Sequence, residues 1–197
     1  MLTKSIKKNL NIIFININIC YFINYYLISD CYVQLYLRLF VNKKDLLNFF
    51  YFLKNSSFFN LNILLDIKCE DICLFSKKYR YKITYVFLSV YYNTRFFVTY
   101  FLYDFDELIS IESLYSSAAF LEREIWDEFG VNFSFKNQNL NRRLLTDYGF
   151  KGHPLKKNYP LTGFYECVYN LEKTRIKTIP LCLVQEYRKF SFRPYRF

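Results

Sequence analysis

An α+β fold, with a mixed or antiparallel sheet, helices on one face and an extended irregular C-terminal docking segment, is predicted by three features of this 197-residue chain. Several strand-like runs follow one another without the regular alternation of strand and helix that builds a parallel sheet. Two stretches carry apolar residues at helical spacing. Beyond residue 130 the periodicity loosens and glycine and proline gather. A hydrophobic content of 53% is ample for a core.

Taken in order, residues 1–31 are an N-terminal extension. Lys4, Lys7 and Lys8 precede an uncharged run from Asn9 to Ser29, whose length suits a bilayer. Its asparagines and the alternating NININI favour a strand over a membrane span. Residues 32–130 form the α+β domain. CYVQLYLRLFV is rich in β-formers, and KKDLLNFFYFLKN places Leu46, Leu47, Phe50 and Leu53 at helical spacing. LNILLDIKCEDI, YRYKITYVFLSVYY and TRFFVTYFLY are further strands, the last two joined as a hairpin through Asn93 and Thr94.

DELISIESLYSSAAFLEREIWDEFG is the clearest helix, with serines from Ser113 to Ser117 to cap its start and Gly130 as a left-handed cap at its end. Leu114, Ala118, Leu121, Ile125 and Phe129 make a narrow apolar stripe, and Arg123, Glu124, Asp127 and Glu128 lie off it. Glu122 falls on the flank, so burial there calls for a cation, with Arg142 or Arg143 as the partner. Residues 131–197 are a basic, turn-rich extension in which YECVYNL and LCLVQEY are short strands separated by TRIKTIP. That segment is too apolar to be a solvated linker and too irregular for its own core, so it packs on partners.

Charge is uneven. Residues 1–135 hold 14 Lys and Arg against 13 Asp and Glu, whereas residues 136–197 hold 13 against 4. Such a bias suits RNA, an anionic surface or an acidic protein, and a mitochondrial ribosomal or other RNA-associated protein is the alternative reading. Phe, Tyr, Ile, Asn and Lys abound while alanine occurs only at positions 118 and 119, the mark of an A/T-rich, organelle-type coding genome. Six cysteines without a C-x-x-C pair, and one histidine, argue against a closed zinc site.

The stretch TDYGFKGHPLKKNYPLTG holds three of the four glycines, two of the four prolines and the only histidine, His153. Catalysis by a serine or cysteine needs a base and a group to orient it, yet no nucleophile elbow or phosphate-binding glycine loop occurs. Between Gly152 and Pro154, His153 reads as a turn residue that hydrogen-bonds locally. No catalytic, cofactor-binding or metal residue is expected.

The run LEREIWDEFGVNF, then NRRLLTDYGFKGHPLKKNYPLTGFYE, then a proline followed by VQEYRKFSF, resembles the NADH dehydrogenase subunit 9 family, the thirty-kilodalton subunit of respiratory complex I. The residues that carry the likeness include Glu122, Arg123, Glu124, Trp126, Arg142, Arg143, Asp147, Tyr148, Gly149, Gly152, His153, Pro154, Gln185 and Arg188. Tyr115 and Ser116 stand where that family usually has Trp-Pro, and the connection from Asn132 to Asn141 is longer than usual. The resemblance implies a core structural subunit on the matrix side of the mitochondrial inner membrane. It implies partners in the forty-nine-kilodalton subunit and an adjacent cluster-bearing subunit, and no nucleic acid. NADH, FMN, iron-sulfur clusters and ubiquinone would then belong to other subunits of the complex.

Overall fold

The computed structural model describes residues 20–27, 33–40, 46–57, 59–74, 78–134, 143–185, 187, 188 and 190, the first two segments by backbone course alone. A five-stranded sheet dominates, built from β1 (Cys20–Leu27), β2 (Val33–Phe40), β3 (Ile63–Asp71), β4 (Tyr81–Ser89) and β5 (Thr94–Leu102). Its spatial order is β1, β2, β5, β4, β3. Within this sheet only β2 and β5 run parallel, because the chain leaves β2, forms α1 (Leu46–Asn55) and the β3–β4–β5 meander, and returns beside it.

The strands follow the alternation in their sequences. Along β4, Tyr81, Ile83, Tyr85, Phe87 and Ser89 are buried and the residues between them are half-exposed. Phe96, Val98, Tyr100 and Leu102 continue this face on β5. The β4–β5 turn is Val90 to Asn93, with Thr94 already paired to Ser89. Asn93 takes φ of 48°, which supplies the left-handed residue in a turn without glycine.

Helix α1 buries Leu46, Phe49, Phe50 and Leu53 on one side. Phe50 meets Tyr85 edge-on at 4.9 Å and Phe87 at 5.4 Å, so α1 covers the inward face of β4. Burial of each such ring contributes about 1.5 to 3 kcal/mol. Helix α2 (Ala118–Phe129) lies against β3 on the same face, where Tyr81 of β4 donates its hydroxyl to the carbonyl of Phe129. Both helices thus occupy one face, as expected. Tyr115 fills the core slot before α2, its ring 5.3 Å from Phe87 and its hydroxyl donating to Leu61 at 2.7 Å.

Several local expectations change. Glu107–Ile109, read as the approach to the helix, is a short strand, β6, parallel to β7 (Asn132–Ser134). Ser117 occupies the N-cap position without a capping bond and instead donates to Leu64 O. Cys20–Leu27, within the expected N-terminal extension, is an edge strand antiparallel to β2; residues 1–19 lie outside the described residues. No described helix is long and apolar enough to cross a membrane.

The chain divides into two compact units, 1–157 and 158–197, so the residues following Gly130 group with the sheet and helices up to Lys157. In the second unit β8 (Tyr165–Asn170) pairs antiparallel with β9 (Arg175–Pro180). The partner of YECVYNL is therefore the RIKTIP segment, read as a separator, and the described residues of LCLVQEY form no strand. Four turn residues from Leu171, ending on Thr174 at φ of 46°, let RIKTIP fold straight back.

Candidate functional site

A helix leaves its last four carbonyls without partners inside it, and burying such an end requires outside donors. At α2 all four find one. Trp126 O accepts the N–H of Gly130, Asp127 O accepts from Arg143 and His153, Glu128 O accepts the N–H of Leu155, and Phe129 O accepts Tyr81. Three of these donors come from the glycine- and proline-rich stretch, residues 143–157, which wraps the end of the helix as a strap.

The centre of the strap is Asp127, fully buried although its place off the apolar stripe predicts exposure. Its Oδ1 accepts Arg143 Nη1 and Thr146 Oγ1, each at 2.7 Å. Its Oδ2 accepts three successive backbone N–H groups, Leu144 at 3.0 Å, Leu145 at 2.8 Å and Thr146 at 3.1 Å. Burial alone would raise the Asp127 pKa, but Arg143, Thr146 and the backbone donors outweigh it and hold the carboxyl well below the usual carboxylate range. Arg143 is held in turn over the rings of Trp126 and Phe150, 5.3 and 5.8 Å from their centres.

His153 closes the other side. Because a carbonyl only accepts, Nδ1 carries the hydrogen in its 2.9 Å bond to Asp127 O. This bond spans 26 residues, so the histidine is a long-range tie and not a local turn contact. Burial, with help from Lys156 and Arg143, lowers its pKa and favours the neutral ring. The ring stands edge-on to Trp126 and lies against Gly130, where a Cβ would come within 2.5 Å of Cδ2. Gly130 is thus required twice, for φ of 68° and for the space His153 fills.

A second buried aspartate fastens the end of the strap. Asp71, at the end of β3, accepts Lys157 N–H at 3.0 Å and Cys73 N–H at 3.1 Å, with Arg80 3.8 Å away. Arg80 also pairs with Asp104 at 2.7 Å. Burial opposes ionisation of Asp71, and the backbone donors with Arg80 still leave its pKa lowered.

Glu122 departs from expectation in another way. It is fully buried, but Arg143 belongs to Asp127, and Arg142 lies outside the described residues. Glu122 instead accepts Ser110 Oγ at 2.6 Å and Ile111 N–H at 2.9 Å. Of the other residues singled out, Arg123 is half-buried with Nε unpaired, Glu124 is half-buried, and Asp147, Tyr148 and Gly149 form the exposed tip of the strap. Gly152 takes φ of 115° just before His153, and Pro154 follows it. Gln185 and Arg188 are exposed in the second unit.

Among the described residues no three His, Cys, Asp or Glu side chains gather as a metal site. An iron-sulfur cluster is commonly held by four thiolates. The described cysteines are free thiols, and burial drives that of Cys69 well above its ordinary range, which disfavours a thiolate. Nucleophile, base and oxyanion donors do not converge in this strap; what it builds is a hydrogen-bonded clasp around the end of α2. The arrangement defines an α+β domain in which residues 143–157 clasp the end of α2.

Residues 39–165 match the family described as respiratory-chain NADH dehydrogenase, 30 kDa subunit, and the chain belongs to that family. NADH-ubiquinone oxidoreductase subunit 9 of Dictyostelium citrinum is 43% identical over 164 residues, 82% of this chain and 77% of that protein. NADH dehydrogenase [ubiquinone] iron-sulfur protein 3 of Solanum tuberosum is 40% identical over 141 residues, 72% of each chain. In fold the chain is similar to a trypsin-resistant fragment, residues 1–134, of Nqo5, with a TM-score of 0.53 at 21% identity, covering 70% of this chain and 99% of the fragment. A chain of an archaeal membrane-bound sulfane sulfur reductase gives 0.58 at 17%, covering 80% and 86%. Nothing in these likenesses supports the RNA-associated alternative.

Proposed function

We propose that this chain serves mitochondrial NADH:ubiquinone oxidoreductase, complex I, as a scaffold that contributes no reacting group of its own. The observation that carries this reading is the second unit. Its β8–β9 hairpin exposes Tyr165, Tyr169 and Ile176, which share one face by register, and a lone two-stranded hairpin is marginal in water. Such a surface calls for a protein neighbour. On the resemblance, the neighbours are the forty-nine-kilodalton subunit and the adjacent cluster-bearing subunit on the matrix side of the inner membrane. The chain then helps hold the quinone-reducing module together while electrons pass from NADH to ubiquinone through groups on other subunits.

Cross-linking of native mitochondrial complexes tests this directly. Lys173 and Lys177, on the turn and second strand of the hairpin, are expected to link to other complex I subunits in fractions with NADH dehydrogenase activity. Links solely to ribosomal proteins would overturn the assignment.

A further inference from the structure

Glu122 has an environment unlike that of the two aspartates. Asp127 and Asp71 each combine an arginine with several N–H donors, whereas Glu122 has two neutral donors and no cation among its described partners. It is wholly enclosed. Among the described residues the titratable groups whose charge reaches it add no positive charge: Glu112 from the connecting segment and Tyr85 from β4, itself within reach of Cys69 of β3. Lys54 of α1 is engaged by the Leu114 carbonyl and the Tyr115 ring. The Tyr85 hydroxyl is itself fully buried, near enough to feel the Glu122 charge, and has no hydrogen-bond partner. A buried carboxylate without a cation is costly, and taking up a proton removes that cost.

We infer that Glu122 and Ser110 form a buried proton-binding site whose occupancy sets how tightly α2 grips the turn that follows β6. The ionised carboxylate accepts from both the Ser110 hydroxyl and the Ile111 N–H. When a proton from solvent binds Oε2, the new O–H donates to Ser110 Oγ, the serine hydrogen turns away, and Oε1 remains as a neutral acceptor for Ile111. A neutral acceptor holds an N–H more weakly than a charged one. The same turn is tied to β7 through the Ser110 N–H to Ser134 O bond, so the proton acts on the β6–β7 pair. Burial pushes the Glu122 pKa up to about 7, the two donors opposing it, which sets this exchange near neutral pH.

The test is a pH titration of the full chain, with ¹³C-labelled glutamate and ¹⁵N-labelled backbone, followed by NMR. One glutamate Cδ resonance is expected to titrate near pH 7, to be missing from Glu122→Gln, and to share its midpoint with the Ile111 amide proton. Ser110→Ala, which removes one donor to the charged form, is expected to raise that midpoint by about half a unit or more. If Glu122→Gln does not fold, the wild-type and Ser110→Ala titrations still decide the matter. Complete titration of every glutamate below about pH 5.5 overturns the site, and an unchanged midpoint in Ser110→Ala overturns the part given to Ser110.

Discussion

Arg143 and Asp127, sixteen residues apart in sequence, meet at 2.7 Å around the last turn of α2, where the arginine also reaches the Asp127 carbonyl. An acidic side chain near a helix C-terminus is unfavourable by itself, and the guanidinium reverses the local charge. One carboxylate thereby organises four consecutive residues of the strap, Arg143 to Thr146.

Asp127→Asn is therefore expected to destabilise the first unit by about 3 to 5 kcal/mol, because it removes the guanidinium's counter-charge and turns one of the two acceptor oxygens into an NH2 donor. Limited trypsin digestion checks it. Cleavage after Lys151 and Lys156 should accelerate in the variant before the sheet is attacked.

Acid should release the same strap within a definite window. The Asp127 pKa is lower folded than the 3.8 of a free aspartate, so its stabilisation is complete above about pH 4 to 5 and is lost as pH falls through the folded value. Amide exchange at Leu144, Leu145 and Thr146 is expected to be flat from pH 7 to about 5, after correction for intrinsic rates, and to rise below about pH 4.

Gly130→Ala combines an unfavourable φ with a clash against a ring held in place by Asp127 and Trp126. A loss of about 2 to 4 kcal/mol is expected. In Gly130→Ala/His153→Ala the clash disappears, so the double variant should lose less than the sum of the singles. Urea unfolding of all four chains measures this coupling.

Glu122 responds to pH in the opposite sense to Asp127. Its folded pKa is raised from 4.5 to about 7, so its stabilisation is fully present below pH 4.5 and falls away as pH rises to 7. Glu122→Gln reproduces the protonated pattern, its amide donating to Ser110 Oγ and its carbonyl accepting from Ile111. Denaturation at pH 8 is expected to show the variant more stable by about 2 to 4 kcal/mol, a gain that vanishes near pH 4.5.

The sheet was legible because β4 and β5 alternate cleanly and their inward residues are buried as the alternation demands. Helix α1 was legible from Phe50 and Leu53. The approach to α2 was not: in DELISIESL the apolar residues fit strand and helix spacing equally, and pairing of Glu107–Ile109 with β7 decides for the strand. Asp127 was missed because apolar periodicity records burial against a hydrophobic core and is silent on burial beneath a polar strap. A usable signal existed, since Asp127 and Glu128 oppose the helix dipole with no basic residue in the last turn. The flank position of Glu122 predicts partial burial beside Arg142 or Arg143; Arg143 reaches Asp127 instead and Arg142 lies outside the described residues. Helix position predicts burial, and only the folded loop shows which carboxylate an arginine reaches. The sequence RIKTIP concealed a strand for a related reason: it reads as a separator between two strand-like runs, and its pairing with β8 is apparent only in register.

The most direct test of the scaffold role is to assemble the respiratory complex with Tyr169→Ser/Ile176→Ser, which removes exposed apolar groups from the second unit without touching the core. A roughly tenfold loss of assembled complex in native separations is expected, with each complex that does form reducing ubiquinone from NADH at the unaltered rate. Full assembly accompanied by slowed turnover would contradict it.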